Sequence, residues 1–127
     1  MSRRLNSKVV ADFLSLLFSS REQAHILHLQ TKSYAAHKAL QGYYEGIVPL
    51  IDKFAETFQG KYGLIKGYSS VEKFHEGDTE IQPYFSELEQ WVEELGPMLP
   101  QDVDLQNAYA DILELIHSTN YLLKFLR

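Results

Sequence analysis

A chain of 127 residues with 45% hydrophobic content has the size of one domain, taken as 1–127, and enough apolar matter for a modest core. It has no cysteine, which excludes disulfides, cysteine-based zinc sites and thiolate catalysis. A net charge of −5 excludes a surface given over wholly to nucleic acid, and the apolar runs are too short to cross a bilayer.

The apolar spacing predicts an all-α protein. Asn6 or Ser7 can cap a first helix, in which Val9, Val10, Phe13, Leu14, Leu17, Ala24 and Leu27 recur at helical intervals to about residue 30. Residues 1–7 ahead of it read as a basic tail. Polar Asn6, Ser7, Lys8 and Asp12 interrupt any secretory apolar stretch, so a cytoplasmic location is expected, the host cytoplasm if the source is viral.

Thr31 or Ser33 can cap a second helix carrying Leu40, Tyr43, Tyr44, Ile47, Ile51, Phe54 and Phe58, ending near Gly60 and Gly63. Residues 61–80 lose the periodicity and read as a long connection, with a short helix expected between Ser69 and His75. Asp78 or Thr79 caps a third helix with Tyr84, Phe85, Leu88, Trp91, Val92 and Leu95, which Gly96-Pro97 ends. Asp102 or Asp104 caps a fourth with Leu105, Ala108, Tyr109, Ile112, Ile116 and Leu123. Two short connections and one long one point to the ferritin-like four-helix bundle, with its crossover between helices two and three. Residues 72–94 carry eight acids against Lys73 alone and read as a solvated helix face.

Four potential metal ligands stand out: His25, His37 twelve residues on, Asp52 fifteen further and Glu56 four beyond that. Imidazole with carboxylate suits iron or another first-row metal better than calcium or magnesium. Asp52 and Glu56 share a helical face. On one helix, however, His37 and Asp52 lie about 22 Å apart along the axis. No single ion within one chain can touch both. An antiparallel two-fold mate removes the difficulty, so the spacing implies a site shared across a dimer interface. Gln41, Glu45 and His28 are accessory candidates. A rival intrachain site would use the E-x-x-H pairs Glu22/His25 and Glu114/His117, provided helices one and four pack side by side. His75 and His117 alone read as ordinary polar residues, and Tyr34, Tyr43, Tyr44, Tyr84, Tyr109, Tyr121 and Trp91 as packing residues.

The run H-K-A-L-Q-G-Y-Y-E-G-I-V-P-L-I-D-K-F-A-E resembles the core of Dps, the mini-ferritin of starved bacteria, and the short ferritin-like proteins of some bacteriophages. In this resemblance His25 and His37 stand for the family's two histidines, and Asp52 and Glu56 for its later aspartate and glutamate. Ala55 precedes Glu56 as in the family's A-E pair, and Gly42 and Tyr43 fall where the family has glycine and an aromatic residue. The resemblance implies a dodecameric shell in which a di-iron ferroxidase at each two-fold interface oxidises Fe(II) with peroxide or dioxygen and stores ferric mineral, with zinc as a substitute metal. The departures are Gln41 in place of an aspartate, Ile26-Leu27 in place of Trp-Asn, and Pro49 within helix two. They leave open a non-catalytic assembly protein of the same fold. Arg3, Arg4 and Lys8 leave open DNA binding by a multivalent shell. No membrane partner is expected.

Overall fold

The structure, a computed structural model, describes residues 3–126, with side chains described from Ser7 onward. It contains four α-helices: α1 (Arg3–Gln30), α2 (Tyr34–Tyr62), α3 (Ile81–Leu95) and α4 (Val103–Phe125). There is no strand among the described residues. α1 already begins at Arg3, ahead of the expected caps Asn6 and Ser7 and inside the expected tail. Met1 and Ser2 of that tail lie outside the described residues.

The turn at residues 31–33 is built by side chains. Ser33 is the N-cap of α2, its Oγ accepting from the Ala36 amide, and the Ser33 amide donates to Thr31 Oγ1 at 3.1 Å. α2 stops at Gly63, whose φ of 97° lies in the left-handed region that favours glycine. Pro49 sits within α2, exposed, and the helix continues through it to Tyr62.

α1 packs on α2, α2 on α4, α4 on α3 and α3 on α1, so the helices close a square with α1/α4 and α2/α3 as its diagonals. Lys61, at the end of α2, pairs with Asp102 and Asp104 at the start of α4. Lys53 pairs with Asp111 one layer along, so these helices run antiparallel. Gln82, early in α3, donates to the Leu123 carbonyl late in α4, so that pair is antiparallel too. The 63–77 connection therefore travels the length of the bundle before α3 begins. This is the four-helix bundle with one long crossover, as the connection lengths predict.

The crossover holds no helix between Ser69 and His75, contrary to expectation; its one helical turn is a 3-10 turn at Asp78–Glu80. The reason is where its backbone donors go. The Ser69 amide donates to Ser15 Oγ (3.0 Å), His75 to Gln23 Oε1 (2.8 Å) and Gly77 to Gln30 Oε1 (2.9 Å). Gln23 Nε2 returns a bond to the His75 carbonyl. The His75 amide, which such a helix would commit to an i→i−4 bond, is thus tied to α1, and the Ser69 and Gly77 amides fasten the flanks of the segment to the same helix as a strap.

The core lies where the four stripes meet. Phe13, Leu14 and Leu17 of α1, Tyr43, Ile47, Phe54 and Phe58 of α2, Phe85, Leu88 and Val92 of α3, and Ile112 and Ile116 of α4 are all buried. Each contributes about 1.5–3 kcal/mol by leaving water. Aromatic edges tie the diagonals: Tyr43 meets Phe85 at 5.1 Å and Phe13 meets Tyr109 at 5.9 Å. Tyr43 is sealed within this core, hydroxyl against Ser20 Oγ at 2.6 Å, and burial pushes its pKa far above the ordinary tyrosine value.

Candidate metal centre

Three of the five histidines meet at the α1–α2 turn. His28 is in the last turn of α1 and His37 in the first turn of α2. Their rings stack at 3.7 Å with 19° between planes. His28 Nδ1 donates to the His37 carbonyl at 2.8 Å, and His37 Nδ1 donates to the His28 carbonyl at 3.0 Å. A carbonyl can only accept, so both protons are placed on Nδ1. In the neutral rings each Nε2 then keeps its lone pair. Metal-ligating histidines are held in this way, by a bond from the other ring nitrogen to a carbonyl or carboxylate.

His25 lies one turn earlier in α1 and stacks on Tyr44 at 4.2 Å; its ring is 5.9 Å from that of His28. Tyr44 also meets His28 edge-on at 5.2 Å, and the Arg21 guanidinium lies 5.9 Å from the Tyr44 ring. The direct partner of His37 is thus His28, nine residues away, and His25 stands behind it. Spacing alone ranked His25 first. The tightness of the three-residue turn, which sets the α1–α2 register, is what brings His28 forward.

Asp52 and Glu56 lie exposed on the solvent side of α2, in line with Glu45 and half-buried Gln41. At fifteen residues, Asp52 is about 22 Å along the axis from His37. The chain by itself does not bring the carboxylates to the imidazoles. Gln41 Nε2 lies 3.4 Å from Glu45 Oε2, a long contact that leaves both side chains at the surface between the two groups.

The intrachain alternative does not assemble. α1 and α4 are diagonal, His25 is turned to α2 through Tyr44, and His117 is turned to α3, its Nε2 3.6 Å from Glu93 Oε2. Among the described residues, the one place where three histidine or carboxylate donors come within 4.8 Å of one another is Glu89, Glu93 and His117. From the sequence alone these acids read as a solvated face. The i, i+4 spacing of Glu89 and Glu93 is visible in the chain, but their alignment with His117 depends on the register of α3 against α4. Of the basic residues expected to meet DNA, Lys8 is paired with Asp12 at 2.7 Å, while the side chains of Arg3 and Arg4 lie outside the described residues. No helix among the described residues is long and apolar enough to cross a membrane.

Fold and site together define a four-helix bundle with a long crossover and an imidazole cluster at its first turn. A family model, described as "Family of unknown function (DUF5856)", matches residues 28–123, and the chain belongs to that family. It is also similar to the "Uncharacterized 14.6 kDa protein in mobD-ri intergenic region" of Enterobacteria phage T4, with 40% identity over 52 residues, which is 41% of each chain. The matched segment thus spans about two fifths of that relative. No solved structure matches.

Proposed function

We propose that the protein is a ferritin-like Fe(II)-oxidising protein of a Dps-like, shell-forming kind, whose site is shared by two chains. The observation that carries this reading is the reciprocal anchoring of buried His28 and half-buried His37 through Nδ1, which leaves the Nε2 of each neutral ring as a lone-pair donor of the kind first-row metals take. His25 and Tyr44 back the pair. In a two-fold dimer with antiparallel α2 helices, the exposed Asp52 and Glu56 of the mate approach these imidazoles, and Gln41 and Glu45 line the path between. Fe(II) enters as substrate. Two Fe(II) ions give two electrons to one peroxide, which takes up two protons and leaves as two waters, and carboxylates favour the ferric product. Zinc would occupy the same donors without turnover. The relative in phage T4 is compatible with a protein acting in a host cytoplasm.

The experiment is aerobic Fe(II) titration, followed by ferric absorbance, of the wild type, His37→Ala and Glu56→Ala, with native mass measured for each. Both variants should lose oxidation while keeping the oligomer. Unfolding the two variants together and refolding them should restore activity: one of the two sites in each mixed dimer is intact, roughly a quarter of the wild-type number under random pairing. A mixture no more active than its components overturns the shared site. Equal rates in all three proteins overturn the chemistry. The neutral amide of Gln41 favours a second reading, a closed non-catalytic assembly, which predicts a large oligomer that binds no iron.

A further inference from the structure

The face formed by α3 and α4 carries a second constellation, remote in sequence from the α1–α2 turn and independent of the reading just given. Glu89 and Glu93 are one turn apart on α3, and His117 reaches them from α4. Each offers a ligand atom within 4.8 Å of the other two. From these side chains we infer a divalent-cation site for a first-row ion of the Zn2+ class, held by Glu89, Glu93 and His117 with its remaining positions open to water.

Three observations distinguish this group from a run of surface acids. First, the donors come from two helices and include an imidazole. One imidazole with two carboxylates is a donor set for zinc or a neighbouring first-row ion, whereas calcium and magnesium take oxygen alone. Second, Glu89 is held from behind. Asn120, only 5% exposed, donates from Nδ2 to Glu89 Oε1 at 2.9 Å and also lies 3.3 Å from the Phe85 carbonyl. A buried amide that fixes one carboxylate oxygen and leaves the other available is the outer support typical of metal-binding carboxylates. Third, α3 contains Glu87, Glu89, Glu93 and Glu94 and no lysine or arginine. The repulsion between Glu89 and Glu93 at i, i+4 is therefore not relieved by a basic residue of their own helix. The Glu93–His117 contact at 3.6 Å is too long for a strong hydrogen bond, and a cation placed among the three groups would satisfy all of them at once.

The test uses full-length protein carrying His28→Ala and His37→Ala, so that metal at the first turn does not contribute and failure of the iron-oxidation reading leaves the result intact. ZnCl2 is titrated calorimetrically, with far-UV circular dichroism confirming the helical fold. One Zn2+ per chain should bind. Adding His117→Ala or Glu93→Gln should weaken binding tenfold or more, and Asn120→Ala should weaken it roughly 10–100-fold. Glu87→Gln, an exposed acid outside the group, should leave it unchanged. Glu93 and His117 are exposed, so their variants should keep the fold even where that of buried Asn120 does not. Absence of Zn2+ binding, or equal affinity in the Glu87, Glu93 and His117 variants, overturns the inference.

Discussion

Replacing Gly96 with alanine tests the packing between α3 and α4. Gly96 has helical φ and ψ of −50° immediately before Pro97, where the proline ring already crowds any preceding Cβ. Space toward α4 forbids a side chain as well. A Cβ there would collide with the Tyr109 hydroxyl and lie 2.7 Å from its Cζ and 3.0 Å from its Cε2. Tyr109 is held, because its hydroxyl donates to the Val92 carbonyl at 2.8 Å. To admit the methyl group the ring must shift and that bond must stretch or break. Overpacking costs about 1–3 kcal/mol and the lost bond about 0.5–1.5 kcal/mol, so Gly96→Ala should destabilise by about 2–4 kcal/mol. For a domain of this size that lowers Tm by roughly 7–15 °C. Urea unfolding with calorimetry measures it. Combining Gly96→Ala with Tyr109→Leu should cost at least about 1 kcal/mol less than the sum of the two single changes, because the two sites touch. Gly42→Ala supplies the opposite sign: a Cβ there meets nothing within 4 Å, and this α2 position should gain about 0.5–1 kcal/mol. A Gly96→Ala protein as stable as the wild type, or strict additivity in the cycle, refutes the argument.

Pro49→Ala returns a backbone donor to the interior of α2 and should stabilise by up to about 3 kcal/mol, seen as a higher urea midpoint at unchanged slope. Tyr43→Phe removes the bond to Ser20, while Ser20 Oγ keeps its bond to the Leu17 carbonyl; a loss of about 0.5–1.5 kcal/mol in the same assay is expected. Acid should loosen both ends of the bundle. The Thr31 hydroxyl and then the Lys32 amide hold the Asp78 carboxyl below its usual pKa, and Lys61 followed by Tyr62 does the same for Asp102. A depressed folded pKa means stabilisation that is present above the unfolded value of ~3.9 and lost as pH falls through the folded one. Urea midpoints should hold level from neutral pH to about 5 and fall below about 4, less steeply in an Asp78→Asn, Asp102→Asn protein.

The helices and their order were legible because Phe13, Leu17, Ile47, Phe54, Leu88 and Ile112 repeat at the helical period and Ser33 and Gly63 punctuate them. The crossover was legible as a length but not as a path: its conformation depends on Ser15, Gln23 and Gln30, polar residues whose role no local pattern announces. Gly96 was readable as a helix stop, yet its backbone is helical and its smallness serves Tyr109. Of the candidate ligands, spacing put His25 and His37 forward together. That His28, and not His25, stacks on His37 was hidden because it arises from a three-residue turn and two ring-to-carbonyl bonds. His117 reads in the chain as an isolated surface residue, because its neighbours Glu89 and Glu93 come from α3.

Ser15, Gln23 and Gln30 fall at intervals of eight and seven along α1, close to two helical turns each, and so mark a single rail on that helix. The rail exists only once α1 is wound, and nothing in the strap's own 63–77 segment duplicates it. The path of the crossover is therefore inscribed in the opening thirty residues, whereas α4 takes its seat from α2 through Lys53 and Lys61. A change at any of the three positions would free one crossover amide while leaving the α1–α2 and α3–α4 seams intact.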